Sequence, residues 1–481
     1  MSEAKEAGCR YKDICGACAF MGMSYDDTAS RKEEGLRELL RGICGQINPI
    51  IKAEDPYGYR NKINRDLKRS KTGRIKDVIY SLGGTEELTP DVCLIEDKAA
   101  GDIIKSILQT ANRYHMETYN RKTGFGLLRG VLIRTGKATG EIMVVLVLGS
   151  SYFKGKNNFV KELLKKHPGI TTVVTHINTR TDNLILDPKG QFRNEYGKGY
   201  ITDILLGNVF KISPESFYQI NRDQAELLYT EAVSKAGILP EDKVLDAYCG
   251  IGTITLAAAK LSNNVTGVDN NKKAIEDARN NAEKNKLKAK FIAKDATEYM
   301  LEESEKGTKF DIVIMDPPRA GSTPDFIKAA AAVDPSRIIY VSCNPETLAR
   351  DLKTFKKYGY EAREATPVDM FPWTDNLETV VLLSQLRQKP DDYIDVDVDV
   401  AELEGTSAET KATYEKIKKY VAEHNDGMKV SNLYIAQVKR KCGIELAENF
   451  NLPKSEESRQ PQCPKEKEEA IIWALKAFKM I

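Results

Sequence analysis

From about residue 222 onward, short apolar runs alternate with segments of helical period, and this alternation constrains the fold more than any other feature of the chain. Lys243–Asp246, Asn264–Asp269, Lys290–Ala293, Asp311–Met315, Arg337–Val341 and Glu378–Ser384 read as strands. Thr253–Leu261, Lys272–Asn285, Asp325–Ala332 and Pro345–Lys357 read as the helices between them. Strands alternating with helices predict an α/β architecture, a Rossmann-like doubly wound parallel sheet spanning 222–388.

The remainder has a different character. A chain of 481 residues is too long for one ordinary domain. Residues 1–30 read as a loop-like, cysteine-rich segment. Residues 31–221 carry short strand-like runs such as Gly130–Arg134, Glu141–Leu148 and Thr171–Ile177, which predict a β-rich central domain with few long helices. Residues 389–481 form a tail whose stretch 391–410 has eight acidic residues and no Lys or Arg. Helical patterns follow at Lys411–Tyr420, Val430–Lys441 and Lys465–Phe478. With 72 Lys and Arg against 70 Asp and Glu, the chain is neither disordered in composition nor a uniformly basic nucleic-acid coat. No apolar run approaches the ~18–20 residues that span a bilayer, and the N-terminus lacks the apolar core of a signal peptide, so a cytoplasmic, membrane-free protein is expected.

Within the alternating segment, Val244–Thr253 reads as a strand, a Gly-x-Gly turn and a helix start. Glycines there let backbone approach a ligand at the strand's carboxyl end, and the next strand ends in Asp269, whose carboxylate can accept both hydroxyls of a ribose. A dinucleotide site would carry a third glycine where Thr255 stands, so the turn suits S-adenosylmethionine better. Asp316–Pro317–Pro318–Arg319 follows another strand on the same edge. Arg319 in place of an aromatic residue argues against methylation of an exocyclic amine, and no cysteine stands there as in cytosine-C5 enzymes of RNA.

Cys343, in Ser342–Cys343–Asn344–Pro345, lies past a strand and before a helix, where exposed helix-terminal amides favour a thiolate. A free cysteine can equally be a small buried apolar residue. Methylation at pyrimidine C5 supplies a reason for the nucleophile: C5 of uracil is too weak to attack a sulfonium methyl until a thiolate adds to C6. A base must then remove the C5 proton, and Asp369, Asp375 and Glu378 are the candidates near the sheet's end.

Two further features stand out. Cys9, Cys15 and Cys18 crowd together, and in a reducing compartment such a cluster reads first as a metal or iron–sulfur site. Residues 59–76 hold eight Lys or Arg against one Asp, with Tyr57 and Tyr59 alongside, a composition suited to phosphate contact and base stacking or to a solvated face.

At these residues the sequence resembles the bacterial RNA uracil-5-methyltransferases that act on ribosomal uridines, from Cys9 to about Leu386. Ser216–Asn221 is similar to the family's entry to the methyltransferase domain, with Gln219 on the cofactor. The resemblance implies that Tyr248, Thr253, Asp269, Asp295 and Asp316 also bind S-adenosylmethionine, with Thr253 departing from a frequent Asn. Ser342–Pro345 followed by Thr347, Ala349, Arg350 and Asp351 matches the nucleophile motif, and Phe371–Glu378 matches the segment that carries the base, selecting Glu378. The family also implies a [4Fe–4S] cluster on Cys9, Cys15, Cys18 and Cys93, with Cys44 as a competing fourth ligand and zinc as the alternative metal. Arg129 and Arg134 match a segment that would line the RNA groove. The implied enzyme is a monomer that makes 5-methyluridine in 23S rRNA; a transfer-RNA methylase and a non-catalytic RNA-binding protein are the alternatives. The C-terminal addition resembles extensions on clostridial-type members and reads either as a contact module or as a buttress.

Overall fold

The alternating segment builds an eight-stranded sheet in this computed structural model, which describes residues 8–81, 84, 87–386, 414–425, 428–442 and 463–478. From edge to edge the strands are Cys44–Ile47, Tyr360–Val368, Glu378–Gln385, Arg337–Ser342, Ile312–Met315, Lys243–Ala247, Asn264–Asp269 and Lys290–Ala293. Lys243–Ala247 is flanked by Asn264–Asp269 on one side and by Ile312–Met315 on the other, so the strand order reverses there. In such sheets the crevice for a ligand opens beyond the carboxyl ends of the strands at that reversal.

The sheet is mixed rather than wholly parallel. Glu378–Gln385 runs antiparallel to both of its neighbours. The physical reason is the connection 369–377, which is too short for the crossover that a parallel pair requires and therefore turns the chain back. Tyr360–Val368 and Cys44–Ile47 complete the sheet although neither reads as a strand in the sequence: the first contains Glu361, Arg363, Glu364 and Pro367, and the second is a short polar edge. Helices Arg222–Ala236 and Ala296–Glu305 likewise add to those expected. Helix starts follow local chemistry. Thr323 accepts from Phe326 N at 3.1 Å and Asn344 from Glu346 N at 3.1 Å, each just ahead of a proline in the first helical turn.

The region upstream is α/β rather than helix-poor. The seven strands of its main sheet, in the order Glu87–Leu88, Ile75–Tyr80, Lys62–Arg69, Leu128–Thr135, Ile142–Leu148, Ile170–Ile177 and Phe192–Tyr196, pair antiparallel except for Ile142–Leu148 with Ile170–Ile177, and Ile201–Leu205 and Asn208–Ile212 form a separate antiparallel pair. Helix Lys156–Lys166 makes that parallel crossover, and helix Lys98–Arg113 buries Ile103, Ile104 and Ile107 against the sheet. Leu132, Met143, Val145 and Val147, on the opposite face, share one core with Val244, Ile339 and Val380 of the larger sheet and with Ile254 of helix Thr253–Ala258.

The basic run 59–76 turns out to be largely internal wiring. Arg65 is 5% exposed and pairs with Asp77 at 3.2 Å and with Glu96. Lys68 reaches Glu87, and Arg69 donates to the carbonyls of Gly73 at 2.7 Å and Met116 at 2.8 Å. Tyr59 is buried, with its hydroxyl donating to Pro372 O at 3.2 Å, and the Tyr57 ring packs on Trp373. Lys71 and Arg74 are exposed, and Arg60 faces the cleft described below.

Ile394–Ile481 forms a separate compact unit from Met1–Tyr393. Its helices Tyr414–His424, Asn432–Lys441 and Lys465–Ala477 enclose Ile417, Val421, Ile435, Val438, Ile471 and Leu475. The acidic stretch 391–410 lies outside the described residues. Among the described residues no helix is long and apolar enough to cross a membrane.

Because Arg65 answers two buried carboxylates, its removal strands both. Arg65→Met is expected to destabilise the protein by about 3–5 kcal/mol, read as a lowered midpoint in thermal or urea denaturation; an unchanged midpoint would refute the internal role.

Candidate active site

A cleft of about 1400 Å³ opens over the carboxyl ends of the central strands and reaches to Gly16–Ala19 and Tyr59–Arg60 of the upstream region. Its floor begins at Lys243–Ala247. Beyond that strand Tyr248 adopts φ 76°, a left-handed conformation costly for a bulky residue. The Tyr248 and Cys249 amides both donate to Val268 O at 3.0 Å, which holds the strain in place. Gly252 has φ 86°, and a Cβ there would stand 3.2 Å from the Phe291 ring. The Gly250 amide donates to Asp269 Oδ2 at 3.0 Å and the Asn271 amide to Asp269 Oδ1 at 2.8 Å, so the turn and the carboxylate position each other.

Three buried carboxylates face this space. Asp246 is 1% exposed; Thr255 Oγ1 donates to its Oδ2 at 2.5 Å, while its Oδ1 has no hydrogen-bond partner. Burial pushes its carboxyl up to about 7. Asp316 is raised by burial and by the charge of Asp246, and Glu378 is raised well above the carboxylate range by burial and by Asp316. Sequence reasoning passed over Asp246, although a carboxylate ending an apolar strand was a visible signal. An orphaned buried oxygen beside Asp269 suits a ligand that carries positive charge and a ribose, as S-adenosylmethionine does.

The expected cofactor residues do not all converge. Gln219, Tyr248, Thr253, Asp269 and Asp316 line the cleft. Asp295 is not among the lining residues: its carboxylate caps helix Ala296–Glu305 by accepting from Thr297 N at 2.9 Å and Glu298 N at 3.2 Å, while its charge bears on Tyr248. Gln219 Nε2 donates to the buried Tyr229 hydroxyl at 3.3 Å, and Asn61 Nδ2 donates to Gln219 O at 2.9 Å. Arg134 secures the same segment by donating to Ser216 O, and Arg129 donates to the carbonyls of Asp182 at 2.7 Å and Leu184 at 3.3 Å. Both arginines are 2% exposed, so they brace backbone instead of lining an RNA groove. Phe217, 72% exposed on the cleft wall, is an aromatic face that the sequence reading did not single out.

Cys343 and Glu378 share the cleft with Arg319. Burial, followed by the charges of Glu378 and Asp316, pushes the Cys343 thiol up to about 11, with Arg319 opposing. The expected thiolate at a helix start is thus corrected for the free protein: Asn344 Oδ1 accepts from the Glu346 amide at 3.1 Å and Pro345 has no amide hydrogen, so few helix-terminal donors remain for sulfur. The residues after Cys343 lock the Asp316 loop. Arg350 donates to Ala320 O at 2.9 Å, and Asp351 accepts from Ser322 N at 2.7 Å and Tyr340 OH at 2.7 Å. Of the three candidate bases, Asp369 is buried in an ion pair with Lys32 at 2.7 Å and Asp375 is exposed on the cleft wall. Glu378 is 4% exposed and its charge acts on Cys343.

At the N-terminus, Cys9, Cys18 and Cys93 pack in one cluster with Met21, Tyr59 and Trp373. Burial, then Cys93, Cys15 and Cys9, push the Cys18 thiol up to about 12. Cys44 lies elsewhere, on the edge strand of the large sheet, with its thiol on Gln46 O at 3.3 Å. Cys93, Cys15 and Cys9 thus each bear on Cys18, but among the described residues no group of three or more His, Cys, Asp or Glu side chains is placed to hold a metal ion.

The doubly wound sheet, with an acid at the end of its second strand beside the Gly-rich turn, is that of a class I, S-adenosylmethionine-dependent methyltransferase. Residues 207–386 match the family model described as tRNA (uracil-5-)-methyltransferase. The chain is 37% identical over 386 residues to an uncharacterized RNA methyltransferase of Caldanaerobacter subterraneus subsp. tengcongensis, covering 79% of this chain and 84% of that one. It is 36% identical over 376 residues to an uncharacterized RNA methyltransferase of Oceanobacillus iheyensis, covering 77% and 81%. Among solved structures it is similar to the Pyrococcus abyssi tRNA (uracil-54, C5)-methyltransferase in complex with S-adenosyl-L-homocysteine, with TM-score 0.64 and 29% identity over 77% of this chain and 86% of that one. The chain belongs to the RNA uracil-5-methyltransferase family and is an S-adenosylmethionine-dependent enzyme of that class.

Asp246 titrates at about 7 in the folded protein against 3.8 as a free side chain. A raised value means that the folded state holds the proton more tightly, so this group's contribution is full below 3.8 and is lost as pH rises to about 7. Thermal stability of the ligand-free protein is therefore expected to fall between pH ~4 and ~7, and Asp246→Asn to flatten that slope in melting curves; an equally steep slope in the variant would refute the assignment.

Proposed function

We propose that the enzyme methylates uridine at C5 in structured RNA, with 23S rRNA as the substrate, through covalent addition of Cys343 and proton removal by Glu378. The observation that carries this reading is the meeting of Cys343, Glu378 and Arg319 in one cleft with Asp316. The target uridine leaves its stack to reach the cleft. Cys343 passes its proton to solvent water in the open cleft and the thiolate adds to C6; the C5–C6 π electrons move toward C5 and O4 as an enolate, which the Arg319 guanidinium stands beside Cys343 to stabilise. S-adenosylmethionine would be held by Gln219, Tyr248, Thr253, Asp269 and Asp316, with Asp295 acting only through its charge on Tyr248, and would supply the electrophilic methyl group to C5, leaving as S-adenosylhomocysteine. Glu378 then accepts the C5 proton, the C5–C6 double bond re-forms and the C6–S bond breaks, releasing Cys343. Burial of Glu378 raises its affinity for a proton, which suits a base acting on a carbon acid.

The reading extends to the rest of the chain. Residues 1–30 with Cys93 hold a [4Fe–4S] cluster, or zinc, through Cys9, Cys15, Cys18 and Cys93; the role is structural or RNA-positioning, because methyl transfer needs no electrons. Residues 31–221 bind RNA, 222–388 carry the chemistry, 389–481 form the extension, and the enzyme works as a cytoplasmic monomer. Transfer RNA is the second reading, favoured by the substrate named for the Pyrococcus abyssi relative and by the family model's description.

Methyl-labelled S-adenosylmethionine offered with 23S rRNA and with transfer RNA separately tests these assignments. Label is expected in 23S rRNA with the wild type and absent with Cys343→Ser. Label in transfer RNA alone would move the substrate to the second reading, and wild-type labelling by Cys343→Ser would end the covalent mechanism. Anaerobically purified protein is expected to be brown, with iron and sulfide in its metal analysis; zinc alone would replace the cluster.

A further inference from the structure

Lys32 is a lysine almost out of solvent, 6% exposed, on helix Tyr25–Leu39, far in sequence from the catalytic motifs. Its ammonium donates to Asp369 Oδ1 at 2.7 Å, to Phe371 O at 3.1 Å and to Asn376 O at 2.9 Å. These three acceptors bracket the connection 369–377, which leads from strand Tyr360–Val368 into Glu378. Val368 pairs with Glu378 across the antiparallel ladder, so the ammonium ties together both ends of the turn immediately next to that pair. The turn contains Trp373 at φ 71°, a conformation that an indole residue holds only when its surroundings impose it. Other bonds come from the same upstream segment: Phe20 N donates to Trp373 O at 2.9 Å, Trp373 Nε1 to Pro56 O at 3.0 Å and Tyr25 OH to Asp369 Oδ2 at 2.9 Å. A lysine that gives all three of its hydrogens to one loop, at the cost of desolvating its charge, sets that loop's geometry.

We propose that Lys32 is a positioning residue for Glu378: it holds the connection 369–377 so that the base stands where the C5 proton must be taken. The proposal rests on the mechanism above, in which Glu378 acts after methyl transfer. A misplaced base therefore has a particular consequence. Addition of Cys343 and methylation still occur, but the C5 proton stays, the C6–S bond does not break, and methylated RNA remains attached to the protein.

The test follows methyl label from S-adenosylmethionine into free RNA and into the protein–RNA band of a denaturing gel, using the full-length chain and whichever RNA the wild type labels. Lys32→Met is expected to lower turnover on the order of 10²-fold, to leave S-adenosylmethionine affinity unchanged, and to accumulate label in the protein–RNA band, the outcome also expected of Glu378→Gln. The double variant Lys32→Met/Asp369→Asn, which leaves no unpaired buried charge, keeps the test decisive if the single variant folds poorly. Turnover at the wild-type level, or lost turnover with no label in the protein–RNA band from a folded variant, would overturn the proposal. If instead Glu378→Gln itself traps no labelled band while the wild type methylates, the assignment of the base fails, and the role of Lys32 with it.

Discussion

The active site depends on one pairing: strand Glu378–Gln385 lies antiparallel beside Arg337–Ser342, with Ser342 opposite Thr379. Because the two strands run in opposite directions, the residue after the end of one and the residue at the start of the other meet at the same rim. That is how Cys343 and Glu378, both one step beyond the Ser342–Thr379 pair at the same end of the ladder, come to share a cleft. A parallel arrangement would have sent the two to opposite edges of the sheet. The short connection 369–377 forces the reversal, and its fastening to the N-terminal helix fixes how that reversal ends.

Electrostatics give the site its second constraint. Asp246, Asp316 and Glu378 are each buried and each raised, and the Cys343 thiol is raised among them. Such a site holds protons while empty. A cationic cofactor favours release of those protons, since positive charge beside a carboxylate stabilises its ionised form. Arg319 acts in the same direction on Cys343. The cleft's charge state thus depends on what occupies it, and Cys343 stands half-buried within it.

The parallel strands and their helices were legible because apolar runs and caps are local: Asn264–Asp269, Lys290–Ala293 and Pro345–Lys357 stand within their expected bounds. Tyr360–Val368 and Cys44–Ile47 were not, since a polar edge strand has no apolar signature of its own and is stabilised by its neighbours. The motif residues around Cys343 and Glu378 could be read from type and spacing. Their protonation could not, because a pKa is set by burial and by charges distant in sequence. Basic residues misled for the same reason. Arg65, Arg129 and Arg134 look like an RNA surface in one dimension, and in three they pair with Asp77 and Glu96 or brace backbone carbonyls.

What the amino-acid sequence determined by itself is the alternating architecture, the Gly-rich turn with Asp269, and the motifs that carry Cys343 and Glu378, because each depends on neighbours a few positions away. Only the tertiary structure decided that Asp369 serves Lys32, that Asp246 is buried with one carboxylate oxygen unpartnered, that Cys93 rather than Cys44 stands by the N-terminal cysteines, and that Asp295 caps a helix outside the cleft lining. Each of those outcomes joins segments remote in sequence. They were settled by which groups lost water together on folding, and a pattern read along the chain carries no record of that.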